Sequence, residues 1–159
     1  MGFSGSKNIK NEKRTTENKN NNNKFCGKGK LYNKNTDEVV YEGDLINGIC
    51  EGKGKYIFEN GDYYIGQFKN GLRDGLGKQY YKNKQLQYDG MWKCDMRNEH
   101  GVYYYENGNF FIGFWKDNEK VGKGELYDKN REIIKQGDVN DMNNQEKNFS
   151  INLNDLILK

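Results

Sequence analysis

The chain has no proline among its 159 residues and only three cysteines. Proline is the residue that removes a ladder donor, so nothing here forbids continuous strand pairing. Cys26, Cys50 and Cys94 are odd in number and irregular in spacing, which argues against a disulfide framework or a cysteine zinc site. The chain therefore reads as cytoplasmic, from a reducing compartment. No apolar run approaches the ~18 residues that cross a bilayer, and no secretory apolar segment is present. Aliphatic residues are scarce as well. The hydrophobic fraction is 33%, and 12 Tyr, 8 Phe and 2 Trp supply much of it. Any core must be largely aromatic.

Charge of one sign is lacking in most of the chain. Residues 1–24 hold six Lys/Arg against two Glu, whereas the remainder holds twenty basic and twenty-one acidic residues. The net charge of +3 thus belongs to the leader, and a nucleic-acid interface, which needs a basic folded face, is not expected. The leader ends in "ENKNNNNK" and has Phe3 and Ile9 as its only large apolar residues, so residues 1–24 read as disordered. At the other end, Phe149, Ile151 and Leu153 alternate as in a strand, and Leu156, Ile157 and Leu158 form an apolar cluster. Residues 141–159 read as a capping strand, a short terminal helix or a tail.

Between the ends, residues 25–140 repeat. Aromatic starts fall at Tyr41, Tyr64, Tyr88 and Phe111, at intervals of 23, 24 and 23 residues. Two residues on stand Gly43, Gly66, Gly90 and Gly113; four residues on stand Leu45, Phe68, Trp92 and Trp115. Gly52, Gly75 and Gly122 occupy offset eleven, with Glu99 as the exception, and Gly54, Gly77, Gly101 and Gly124 occupy offset thirteen. "CGKGKLY" supplies a half-unit upstream, and "KQGDV" opens another downstream, with Lys135 in the aromatic's place. A period of this length means stacked supersecondary units.

Each unit reads as two short strands. "YEGDL", "YIGQF", "YDGMW" and "FIGFW" alternate, which puts the aromatic, the glycine and the second apolar residue on one face. "ENGD" at Glu59–Asp62 and "ENGN" at Glu106–Asn109 are predicted to be type I′ hairpin turns; "KNKQ" at Lys82–Gln85 fills the third less typically. An antiparallel array of this kind has no second layer. Rings lying flat over bare glycine backbone would bury area within the sheet itself. Tyr suits that role, since its hydroxyl can stay wet while its body is covered.

These residues resemble the MORN repeat, whose usual form is close to Y-x-G-x-[WF]-x-x-G-x-x-x-G-x-G. "YIGQFKNGLRDGLG" (Tyr64–Gly77) fits at every named position, and "YEGDLINGICEGKG" (Tyr41–Gly54) departs only at Leu45. The third unit has Asp95 and Glu99 where glycine is usual; the fourth starts with Phe111 and has Asn118 for glycine. The resemblance implies an all-β, elongated single-layer antiparallel array of β-hairpins with an aromatic-lined groove on one face. It also implies a protein-interaction or dimerisation platform of the sort found at membrane junctions, cilia and cell-division scaffolds, with an association with anionic phospholipids. Any chemistry in larger relatives belongs to an appended domain, and none fits in the residues left over here.

Candidate sites follow. Tyr41, Tyr64, Phe68, Tyr88, Trp92, Phe111 and Trp115 are the expected groove aromatics, left partly exposed and docking an amphipathic helix of a protein partner or a second copy of the chain. Lys53, Lys55, Lys78 and Lys123 share the opposite parity, which keeps direct contact with an anionic phospholipid membrane as the alternative. "MGFSGSK" matches the pattern for myristoylation of Gly2, although Phe3 is an unfavourable neighbour, and Cys26 is a candidate palmitoylation site. Either would place the protein at the cytoplasmic face of a membrane; the cytoskeleton is the other expected location. His100 is the sole histidine and reads as an exposed strand residue rather than a base or ligand. No catalytic residue, metal site or cofactor is expected.

Overall fold

The computed structural model describes residues 9–11 and 26–142. Each aromatic start opens a strand and each offset pair of glycines lies in the next, so hairpin follows hairpin along the chain. The strands are β1 (Ile9–Asn11), β2 (Cys26–Asn33), β3 (Val39–Ile46), β4 (Ile49–Ile57), β5 (Tyr63–Lys69), β6 (Leu72–Tyr80), β7 (Leu86–Lys93), β8 (Met96–Tyr104), β9 (Phe110–Lys116), β10 (Glu119–Tyr127) and β11 (Ile133–Asp138). They form one open antiparallel sheet in strict sequence order, β1 to β11. At about 4.8 Å per strand, β2 to β11 extend roughly 45 Å across the sheet. The expected single-layer all-β array is what the chain forms.

The registers place ten glycines in one unbroken row across the sheet. Gly29 pairs with Gly43, Gly43 with Gly54, and so on through Gly66, Gly77, Gly90, Gly101, Gly113 and Gly124 to Gly137. A Cβ added at Gly54, Gly77 or Gly101 would overlap the ring of Tyr41, Tyr64 or Tyr88. The rings lie on this row, as the repeat predicts.

Two expectations need correction. The type I′ turns are not at Glu59–Asp62 and Glu106–Asn109 but at the other ends of the hairpins. Asn47-Gly48, Asn70-Gly71, Cys94-Asp95 and Asp117-Asn118 have φ of 55° and 77°, 51° and 81°, 48° and 69°, and 50° and 74°. Both central residues are left-handed, which a two-residue loop requires. At Glu59–Asp62 only Gly61 is left-handed, its N–H bonded to the Phe58 carbonyl, while the Phe58 N–H reaches the Asp62 carbonyl. These are three-residue loops, repeated with Lys84, Gly108 and Arg131 in the left-handed place. The extra residue of the second interval is absorbed inside a strand: Tyr80 pairs with Leu86 and Gln79 with Tyr88, leaving Gln87 as a bulge.

The second correction concerns the leader. Ile9–Asn11 pair with Leu31–Asn33 as β1, so those three residues are not unstructured as expected. Without β1, strand β2 would present an unpaired edge that any extended segment can satisfy. The rest of the leader, Gly2 included, lies outside the described residues, as do Phe149, Ile151, Leu153 and the Leu156–Leu158 cluster. A cap does begin before residue 143. After β11 the chain makes one helical turn over residues 139–142 and buries Val139 and Met142 against the core. Val139 stands four residues after Lys135, the station that Leu45, Phe68, Trp92 and Trp115 hold in the full units.

Candidate functional site

The seven motif aromatics form a continuous herringbone over the glycine row. Tyr41 meets Phe68 edge to face at 5.2 Å, Phe68 meets Tyr64 at 5.2 Å, and Tyr64 meets Trp92 at 5.3 Å. Trp92 meets Tyr88 at 5.2 Å, Tyr88 meets Trp115 at 5.5 Å, and Trp115 meets Phe111 at 5.9 Å. Perpendicular rings place the positive edge of one on the negative face of the next, worth about 0.5–1.5 kcal/mol per pair beyond burial. Each unit's Tyr is thus roofed by the ring of the following unit.

None of the seven is more than 4% exposed. The expectation that they line an open docking groove is therefore overturned: they are the core of a thin protein. Their polar atoms are also satisfied internally rather than left wet. The hydroxyls of Tyr41, Tyr64 and Tyr88 donate to the carbonyls of Asp44, Gln67 and Met91 at 2.7, 3.0 and 3.1 Å. Trp92 and Trp115 Nε1 donate to Gly77 and Gly101 carbonyls at 3.2 and 3.3 Å. A register shift follows the first glycine of each hairpin, and the carbonyls that accept the Tyr hydroxyls stand there. Burial pushes all three Tyr hydroxyls well above their ordinary pKa.

What covers the rings is a feature that reasoning from the motif missed. Offset nine of the units reads Cys50, Arg73, Arg97 and Lys120, and the last three are cations lying flat on aromatics. Arg73 sits 4.1 Å from the Trp92 centroid and Arg97 4.6 Å from that of Trp115. Lys120 sits 4.7 Å from the Phe111 ring and donates to the Tyr105 hydroxyl. Each contact adds attraction of about 0.5–2 kcal/mol according to how far the cation is desolvated. Tyr56, Phe58, Tyr103, Tyr105 and Leu126 complete this outer layer, half-buried. The Tyr81 and Tyr103 hydroxyls lie 3.4 Å apart. Burial first, and then this contact, raises the Tyr103 hydroxyl to about 12.

The cations are held by the turn of the next unit. Asp95 Oδ1 accepts from the Arg73 backbone N–H at 2.8 Å and from Nε at 3.1 Å, while Arg73 Nη2 donates to the Asp95 carbonyl at 2.7 Å. Asn118 reproduces the arrangement around Arg97, with Oδ1 accepting from the backbone N–H at 2.9 Å and from Nε at 3.4 Å. Burial lowers the Arg73 pKa, and the Asp95 charge offsets part of that. The sequence signal was the in-register column of cations, together with the two turns that lack glycine.

The opposite face differs from the lysine surface expected. Lys53, Lys55, Lys78 and Lys123 do stand there, but Lys78 pairs with Asp89 at 2.6 Å and Lys30 with Glu42 at 3.4 Å. Its middle strands expose Ile65, Leu76 and Phe114 instead, Leu76 at 62%. His100 is exposed there, edge-on to Phe114 at 5.4 Å. Cys50 is buried beneath the outer layer, and burial pushes its thiol up to about 12; Cys94 is exposed in its turn, and Cys26 is half-buried at the start of β2. Among the described residues no three His, Cys, Asp or Glu side chains come together to hold a metal, and no helix is long and apolar enough to cross a membrane.

A one-layer sheet built from tandem hairpins, with one buried ring per unit laid on a glycine row, defines a repeat protein of the hairpin-array class. The chain belongs to the MORN repeat family, whose description matches residues 21–37, 41–63, 64–85, 88–110 and 111–131. It is 37% identical over 60 residues to Alsin of Mus musculus, and 36% over 60 residues to Alsin of Homo sapiens. Those matches cover 35% of this chain and 4% of Alsin. It is 43% identical over 42 residues to MORN repeat-containing protein 3 of Xenopus laevis, covering 26% of this chain and 18% of that protein.

Proposed function

We propose that this chain is a non-enzymatic interaction module that lays an amphipathic helix, from a protein partner, across the outer layer of its ring face. The observation that carries this is the spacing of that layer. Phe58, Tyr81 and Tyr105 hold one station in three successive units, just past β4, β6 and β8, so a half-buried ring recurs every second strand. Two strands measure about 9.6 Å, and two turns of an α-helix rise about 10.8 Å, so a helix crossing the strands meets successive units nearly in step. The buried motif rings act as the stiff base under that surface. The module belongs on this reading at the cytoplasmic face of a membrane or on the cytoskeleton.

The test is selection from a displayed library of amphipathic helical peptides, followed by a hydrogen-exchange footprint of the best binders. Protection centred on the strands carrying Tyr103 and Tyr105 supports the reading. Enrichment of no helix, or protection confined to the side of Ile65, Leu76 and Phe114, overturns it. Self-association is read in parallel by sedimentation.

Direct binding of anionic phospholipid is the second reading, favoured by Lys53, Lys55, Lys78 and Lys123 on the reverse face. The acids Glu42, Asp44 and Asp89 interleaved with them weaken it. A tether through Gly2 would add to either reading. Intact mass of the cell-expressed N-terminus, compared with a Gly2→Ala variant, tests the tether.

A further inference from the structure

The successive cation stations on the ring face are built alike but charged differently. Arg73 has a full carboxylate, Asp95, at 3.1 Å, and the pair is nearly enclosed. Arg97 donates the same hydrogen bonds to Asn118, which carries no charge. Lys120, in the next unit, is turned onto the Phe111 ring and the Tyr105 hydroxyl. Among the described residues neither Arg97 nor Lys120 has an acidic group within 4.0 Å. Both are half-buried, so water compensates them less than it would an extended surface lysine. Beside Lys120 lies a cavity of about 290 Å³, lined by Asn107, Asn109 and Lys135 among others. Folding has thus satisfied the geometry at both stations without satisfying the charge.

We infer that Arg97 and Lys120 are a carboxylate-reading pair, which selects a partner helix carrying two acidic side chains seven residues apart. This rests on the docking reading above and gives that partner its chemistry. The two stations are two strands apart, about 9.6 Å, and residues seven apart on one helix face are separated by about 10.5 Å. Carboxylates three or four residues apart would reach only one station. Cations pressed flat onto Trp115 and Phe111 suit side chains that descend onto the ring face. A flat membrane surface would instead meet protruding lysines first, and those stand on the other face.

The decisive variant is Asn118→Asp. It restores the charge that Asp95 provides one unit earlier, so it neutralises Arg97 without removing a contact. Lys120→Gln is its companion at the second station. The same displayed helical library is selected against wild type, Asn118→Asp and Lys120→Gln, with vesicles of phosphatidylcholine and phosphatidylserine as a separate probe. The expected result is enrichment of Glu or Asp pairs seven apart on wild type. Affinity of those peptides should fall about tenfold in each variant, the loss of one charge-assisted contact. Asn118→Asp should also melt higher than wild type, which shows that it remains folded. Helices that enrich without acidic pairs, or acidic pairs that persist equally in Asn118→Asp, overturn this inference and leave the docking reading standing. Failure of any helix to enrich, or binding to the vesicles alone, overturns both.

Discussion

Arg73 and Asp95 meet across two adjacent units, 22 residues apart in sequence, with one carboxylate oxygen accepting from both the backbone N–H and Nε of the arginine. The Arg73 side chain is 13% exposed and lies on Trp92. Replacing Asp95 by Asn keeps the hydrogen-bonding shape, as Asn118 shows at the next station, but leaves a buried cation unpaired. Breaking a buried pair outright costs about 3–5 kcal/mol, so Asp95→Asn is expected to cost roughly 2–3 kcal/mol. Chemical denaturation measures it. A cost near zero would mean that Trp92 and water already compensate the guanidinium.

The fourth ring has lost its hydroxyl. Tyr41, Tyr64 and Tyr88 each donate to the carbonyl three residues on, whereas Phe111 offers the Phe114 carbonyl nothing. Phe111→Tyr is expected to stabilise by about 1 kcal/mol, and Tyr88→Phe to destabilise by about the same or somewhat more. Opposite signs for the same chemical change, read in melting temperature, are the check.

Glu99 adopts φ 55° at a station where Gly52 and Gly122 adopt 63° and 62°. A side chain in that region costs of order 1–3 kcal/mol, and among the described residues the Glu99 carboxylate has no ion pair to offset it. Glu99→Gly should therefore raise stability by about 1 kcal/mol. Lys84→Gly, at φ 70° in its loop, should add a similar increment independently, because the two sites share no partner.

Alkali should unfold the array. The Cys50 thiol is raised from 9.0 to about 12, and the hydroxyls of Tyr41, Tyr64 and Tyr88 are raised above 10.0. In the unfolded chain these groups lose their protons first, so the folded state binds more protons above pH 9. Stability is then fully present below pH 9 and falls as pH rises toward 12 and beyond. Each fully released group contributes about 1.4 kcal/mol per pH unit. Cys50→Ala should flatten the early part of that fall, between pH 9 and 10. Alkylation at neutral pH should label Cys94 long before Cys50, which is buried.

The period was legible because the glycine row and the rings on it are a property of each unit by itself. Tyr64, Gly66 and Gly77 point to their own arrangement wherever the unit sits. Burial of the rings was not legible in the same way, because the cover comes from elsewhere: Trp92 from the next unit over Tyr64, and Arg73 from the preceding unit over Trp92. The turns failed for a related reason. "ENGD" and "KNGL" both contain Asn-Gly, and only the strand registers separate a three-residue loop from a two-residue one. The cation column was written in the repeat alignment, at a station the motif leaves unnamed.

The succession of roofs has a grain. Each of Tyr41, Tyr64 and Tyr88 takes its cover from the unit that follows it, and at the station that would follow Phe111 the chain buries Val139 instead of a ring. Shortening the array from the Cys26 end removes strands but leaves every remaining tyrosine of the row the ring that roofs it. Shortening it from the Val139 end strips the roofs one after another. The two termini are therefore unequal. One is a place where units can be added or lost cheaply, and the other is a seal on which the rest of the stack depends.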